Sequence, residues 1–212
     1  MKLKKFIKRT VKEYLNEQQS LENIQINDKF WKWFGDSKVV NKSGNPMIYY
    51  HGTSTNFTNF KLSERNAIWF TPSEISANIF ADWASNPDKG KHPKILNVFI
   101  KSDNPFDFES DNQISDLINK LANKRFKYKG VNDNRTINNF IEILEQYRDE
   151  FKTGNWSIFE KYMNIETLKE LGFDGVYMIE MGKKNIAVFN SHQIKSINND
   201  GSWDLNNTNI YS

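Results

Sequence analysis

Apolar positions recur along this chain in two rhythms. Leu3, Phe6, Ile7, Thr10, Val11, Tyr14 and Leu15 fall three and four residues apart, which predicts an amphipathic helix over 1–18 with a lysine-rich outer face. Residues 19–28 are mostly polar and read as a linker, so the main domain is expected over 29–212. Lys29 to Gly35 is a short aromatic segment closed by glycine. Val39-Val40 and Met47 to Tyr50 read as strands of a hairpin around a turn at Asn41 to Pro46. Ala67 to Thr71 predicts another short strand. Thr71-Pro72-Ser73-Glu74 then opens a helix that runs through Ile75, Ala77, Ile79, Phe80 and Trp83. In that helix Thr71 is the expected cap, Pro72 belongs to the first turn and Glu74 completes a capping box. Lys94 to Ile100 is a strand that Asn104 to Phe108 breaks.

The stretch 111–170 reads as mostly helical. Ile114, Leu117, Ile118 and Leu121 mark one face, and Ile137, Phe140, Ile141, Leu144 and Tyr147 another. A loop from Asn123 to Arg135 between them carries Lys and Arg, and Gly172 closes a later helix. Phe173 to Ile179 and Asn185 to Phe189 form a predicted strand pair around a turn at Glu180 to Lys184. Residues 190–196 leave that pair, and the tail over 198–212 is polar with one anchor, Trp203.

Composition narrows the possibilities. The 212 residues suffice for one domain with a real core. Hydrophobic content is only 38%, but 16 Phe, 8 Tyr and 6 Trp compensate in area they can bury. A net charge of +3 does not make the whole chain an electrostatic nucleic-acid binder. The absence of Cys excludes disulfides, thiolate zinc sites and a thiol nucleophile, and fits a reducing cytoplasm. The three His residues show no zinc spacing, so no metal is expected. No run reaches the length of a membrane span. Met1 to Arg9 is basic without an uninterrupted apolar segment, so no signal peptide is expected.

Candidate chemistry concentrates where strands end. Met47 to Tyr50 runs straight into His51-Gly52-Thr53. That puts an imidazole, a residue without a Cβ and a hydroxyl at a strand end. On that tripeptide alone, a core strand ending in a half-buried histidine is the simpler reading.

Two later stretches favour the functional one. Tyr50-His51-Gly52-Thr53, then Ile68-Trp69-Phe70-Thr71 with the helix to Ala77-Asn78-Ile79-Phe80-Ala81, then Asn185 to Ile194 occur in order. With them the chain resembles ADP-ribosyltransferases of the diphtheria-toxin and poly(ADP-ribose) polymerase type, whose signature is His, Tyr and Glu on three strands. Leu171 to Gly175, Gln193 to Ser196 and Gly201 to Asn207 resemble the ADP-ribosyltransferase-like domains of phage and mobile-element polyvalent proteins. The likeness covers roughly Phe30 to Tyr211, the helical middle being similar in type only.

The resemblance implies an α+β fold: a split β-sandwich of two small antiparallel sheets with flanking helices and a helical insertion. It implies NAD as substrate, cleaved at the nicotinamide–ribose bond, and transfer of single ADP-ribose units to a host macromolecule, protein or nucleic acid, in a bacterial cytoplasm. His51, Trp69 and Asn185 take the catalytic positions. His51, Gly52, Thr53, Trp69, Phe70 and Phe80 form the NAD-binding set, with Phe80 stacking under the nicotinamide. Two departures stand out: Trp69 replaces the motif Tyr, and Asn185 replaces the motif Glu, which keeps a hydrogen bond but no charge. Glu180, just before the turn, is a carboxylate within reach. A catalytically weak or inactive NAD- or partner-binding module on the same fold is the alternative. A structural phage protein that uses the basic N-terminal helix to dock a partner is the third reading. NAD binding separates the first two readings from the third, and turnover separates the first from the second.

Overall fold

The computed structural model describes residue 24, residues 26–64, 66–116 and 165–212, and between these 127, 128, 131, 132, 142 and 145. The helix expected over 1–18, most of the helical middle and most of the basic loop lie outside the described residues.

The aromatic segment after the linker forms α1 (Asp28–Phe34), whose first N–H groups are capped by the Asn27 side chain. Gly35 ends it at φ 57°, a conformation that favours glycine. The helix buries Phe30, Trp33 and Phe34 against Phe99 and Trp203. Ile24 and Ile26, at the end of the expected linker, pack against the same cluster.

Two sheets carry the fold. The first has three strands, β1 (Ile48–Thr53), β3 (Lys94–Ile100) and β9 (Ile194–Ser196), in the order β1-β3-β9. The second has four: β2 (Ile68–Phe70), β8 (Lys183–Val188), β7 (Gly175–Glu180) and β4 (Pro105–Asp107), in the order β2-β8-β7-β4. β5 (Lys127–Tyr128) and β6 (Val131–Asn132) make a separate short pair. The helices α2 (Glu74–Ala84) and α3 (Ile165–Glu170) complete the α+β arrangement. Tyr49, Val98, Ile100 and Ile194 from the first sheet and Ile68, Phe70, Phe106, Val176, Ile186 and Val188 from the second fill the core between them.

Several expectations are corrected. Residues 104–108 do not simply break a strand: Pro105 to Asp107 pair in parallel with Gly175 to Tyr177, so the second sheet is mixed. Pro105 is tolerated because it opens an edge strand, where a missing N–H costs little. Residues 190–196 do not just leave the sheet either, since β9 crosses to the first sheet and pairs with β3. The hairpin at Asn41 shrinks to one bridge, Val40 with Pro46. There Asn41 Oδ1 accepts from the backbone of Ser43 and Asn45, and proline has no N–H to extend a ladder. The tail has more than one anchor. Ile210 is buried in the main core while Trp203 is buried against α1, and the fully buried Lys195 donates to the carbonyls of Asn207, Asn209 and Ser212.

Two polar ties hold the sheets to one another. Tyr50 and Thr71 exchange backbone hydrogen bonds of 2.8 and 3.0 Å. Elsewhere, Gln193 Nε2 donates to the carbonyls of Lys101 and Asp174 while its Oε1 accepts from the N–H groups of Phe189 and Asn190. The Asp174 carboxylate accepts from Ser102 Oγ and from the backbone of Asp103 and Asn104. Such satisfied networks fix the relative placement of the elements that share them.

Candidate active site

The site starts from alternation along β1. Tyr49 and His51 face inward, Tyr49 into the core and His51 onto the rings of Phe60 and Phe70. Gly52 faces outward, under α2. An added Cβ there would lie 2.1 Å from the Ala77 carbonyl oxygen and 2.6 Å from the Ala81 nitrogen. The helix therefore rests directly on the strand backbone. Phe80 lies three residues on from Ala77, one turn along the same helix, so this contact brings Phe80 to the cavity at the end of β1.

The cap of α2 differs from the expected one. Ser73 is the N-cap and accepts from Ser76 N at 3.3 Å. Thr71 is committed to the bridge with Tyr50, so the helix begins later, Pro72 precedes the cap and Glu74 is its first residue. Glu74 still sits where a negative charge is favoured.

A cavity of about 230 Å³ opens at the junction of the sheets and α2. Tyr50, His51, Gly52, Trp69, Phe70, Thr71, Phe80, Met178, Glu180 and Asn185 line it. Six residues singled out from the sequence thus meet there: His51, Gly52, Trp69, Phe70, Phe80 and Asn185. Thr53 does not. It ends β1 beyond the cavity, and its hydroxyl is engaged with the backbone and hydroxyl of Thr55. Thr71 reaches the cavity through its bridge to Tyr50, and Met178, which had no signal of its own in the sequence, through the pairing of β7 with β8. A second cavity of about 370 Å³, lined in part by Phe57, Phe60 and Lys61, shares His51 and Trp69 with the first. The two cavities thus meet at two common lining residues.

His51 has a defined state. Its Nδ1 lies 2.9 Å from the Trp69 carbonyl, which can only accept, so Nδ1 carries the proton. Burial lowers the ring's pKa from the ordinary 6.5, opposed by that hydrogen bond. The neutral ring then presents Nε2 as an acceptor. The Tyr50 N–H and C=O face Thr71, on the edge away from β3. Two residues on, those of Gly52 project from the same edge, past the end of β2. The cleft offers a neutral acceptor, a free backbone donor and acceptor, and two aromatic walls.

Asn185 is buried, and its Nδ2 donates to Glu180 Oε2 at 3.1 Å. Burial raises the Glu180 carboxyl above its ordinary value, and the Asn185 amide offsets part of that rise. Among the described residues, no group of three or more His, Cys, Asp or Glu side chains is arranged to hold a metal ion, and no helix is long and apolar enough to cross a membrane.

The family described as "ADP-Ribosyltransferase in polyvalent proteins" matches residues 41–204, a span that includes every residue lining the first cavity. No curated protein and no solved structure matches the chain. A match over most of the length, on a two-sheet α+β fold with the motif positions at one cleft, has one conclusion: the chain belongs to the ADP-ribosyltransferase family of polyvalent proteins.

Proposed function

We propose that this protein is a mono-ADP-ribosyltransferase. It takes NAD as substrate, breaks the nicotinamide–ribose bond and passes ADP-ribose to a protein or nucleic acid of a bacterial host. The observation that carries this reading is the convergence of His51, Gly52, Trp69 and Phe80, from three separate elements, on one cavity, beside a second that shares His51 and Trp69 with it. A dinucleotide also has two halves. The nicotinamide stacks on Phe80, and its carboxamide meets the free N–H and C=O of Gly52, which match an amide's acceptor and donor. His51 Nε2 accepts from a ribose hydroxyl, and Trp69 walls the pocket. Nicotinamide leaves as a neutral ring, so the protein need not protonate it. The work left is orientation and stabilisation of a cationic sugar.

Asn185, at the strand position where the resemblance places a charged side chain, favours transfer of single units over polymer synthesis. The same residue supports the second reading, an NAD-binding module with weak or no turnover. A setting in a phage or other mobile element, with the basic segment 1–18 docking a partner, follows from the resemblance to polyvalent proteins.

Calorimetry with NAD tests the reading directly. Phe80→Ala should weaken binding by about 1–3 kcal/mol, the usual loss for one stacked base, or roughly fivefold to more than a hundredfold. Equal affinities would remove the stacking role, and a wild type that does not bind NAD would remove the function. Mass spectrometry of a lysate incubated with labelled NAD then identifies the acceptor.

A further inference from the structure

Among the described residues lining the first cavity, Glu180 is the only carboxylate, and it does not occupy the strand position that the sequence pattern assigns to catalysis. It ends β7, whereas Asn185 lies on the neighbouring β8, opposite Met178. Asn185 is only 4% exposed. A carboxylate can only accept, so the 3.1 Å contact fixes the amide with its nitrogen toward Glu180. Oδ1 is then turned the other way, buried and without a hydrogen-bond partner in the protein. A buried carbonyl left unpaired is costly and marks a place where a ligand donor completes the structure. Glu180 has no basic side chain within ion-pair distance among the described residues, although Lys183 is its cross-strand neighbour. The other titratable side chains lining the cavity are His51 and Tyr50.

We infer that Glu180, not Asn185, is the carboxylate of the reaction, and that Asn185 is the positioning residue that aims it. The inference rests on the NAD reading above. The bond from ribose C1′ to the nicotinamide nitrogen breaks, and its electron pair leaves with the now neutral ring. The positive charge moves onto the sugar, where the Glu180 carboxylate faces it. A lone pair of water, or of a neutral O–H or N–H acceptor, forms the new bond to C1′. The proton released from that acceptor passes to Glu180 and then to solvent. Asn185 Oδ1 accepts from a ribose hydroxyl, which supplies the donor it lacks. A strand residue too neutral to serve as base thus hands the charge to its neighbour across the hairpin.

The first test needs no NAD. The side-chain amide signals of Asn185, followed by NMR from about pH 3 to 8, should titrate with a midpoint above 4.5 in the wild type and stay still in Glu180→Gln. An amide that does not titrate overturns the pair. The second test measures NAD affinity and nicotinamide release separately. Glu180→Gln, isosteric and uncharged, should bind NAD within about threefold of wild type but release nicotinamide at least roughly a hundredfold more slowly. Asn185→Ala should lose about tenfold in rate, and the midpoint of its rate–pH profile should move upward because the hydrogen bond that favours the ionised carboxyl is gone. A merely structural role would leave that midpoint in place. If Glu180→Gln turns over like wild type, or wild type binds NAD without turnover, the inference falls while NAD binding stands. If wild type binds no NAD, both fall.

Discussion

Replacing Gly52 by alanine should separate α2 from β1. The new Cβ would meet backbone atoms, the Ala77 oxygen at 2.1 Å and the Ala81 nitrogen at 2.6 Å, and neither can rotate away as a side chain would. The helix and strand must part until 2.1 Å becomes the 3.4 Å of ordinary contact. Forcing one extra carbon into a packed interior usually costs about 1–3 kcal/mol, and a backbone clash belongs at the upper end. For a domain of this size, about 3 kcal/mol corresponds to a fall in Tm of roughly 6–12 °C. Phe80 moves with the helix, so NAD affinity should fall as well. Differential scanning calorimetry and isothermal titration of Gly52→Ala would measure both. A variant that melts with wild type yet loses NAD would refute the packing account. In that case the glycine would matter only because a ligand approaches it.

Three more outcomes are expected. Because the folded pKa of His51 lies below 6.5, its contribution to stability is intact above pH 6.5 and is lost as pH falls through the lower folded value; the slope of melting temperature against pH in that window should flatten in His51→Gln. Asn185→Glu should not exceed the wild-type rate of nicotinamide release, because it sets a second carboxylate at hydrogen-bond distance from Glu180 and the pair must share a proton; a gain of about tenfold would instead make position 185 the true seat of the charge. Lys195→Met removes the ammonium that gathers the carbonyls of Asn207, Asn209 and Ser212; chemical denaturation should show a loss of roughly 3 kcal/mol, and hydrogen exchange over 207–212 should rise first.

The sequence made the strand ends readable because β1, β7 and β8 carry continuous apolar runs that stop at polar residues. His51 stands at such a stop, whereas Trp69 lies within β2 and Phe80 within α2, where the family resemblance rather than the apolar pattern singled them out. The reason for Gly52 was not readable, since its clash is with Ala77 and Ala81 on a helix whose placement depends on the whole fold. β4 was hidden by Pro105 and β9 by the polar residues before it. Both are three-residue strands, too short for alternation to show. Asp174 read as part of a strand and Gln193 as part of the exit from one, both with a family likeness. Their part in tying the sheets depends on carbonyls and N–H groups far away in sequence. Glu180 was visible as a carboxylate near a turn, but only the register of Met178 with Asn185 places both polar side chains on one face.

The strand pairing also orders events during synthesis. β2 is hydrogen-bonded to β8, more than half of the chain later, and β3 waits for β9 to complete its sheet. Within this chain β1 can pair with β3 early, but the wall that carries Trp69 has no ladder partner until residues 183–188 have left the ribosome. Contacts of such long separation fold slowly. Until they close, the aromatic residues near the N-terminal end of the domain remain exposed to misassociation. A nascent chain arrested before residue 183 should therefore be recognised by chaperones and cut by proteases, and NAD would not protect it. The cleft would come into being only when the last strands dock.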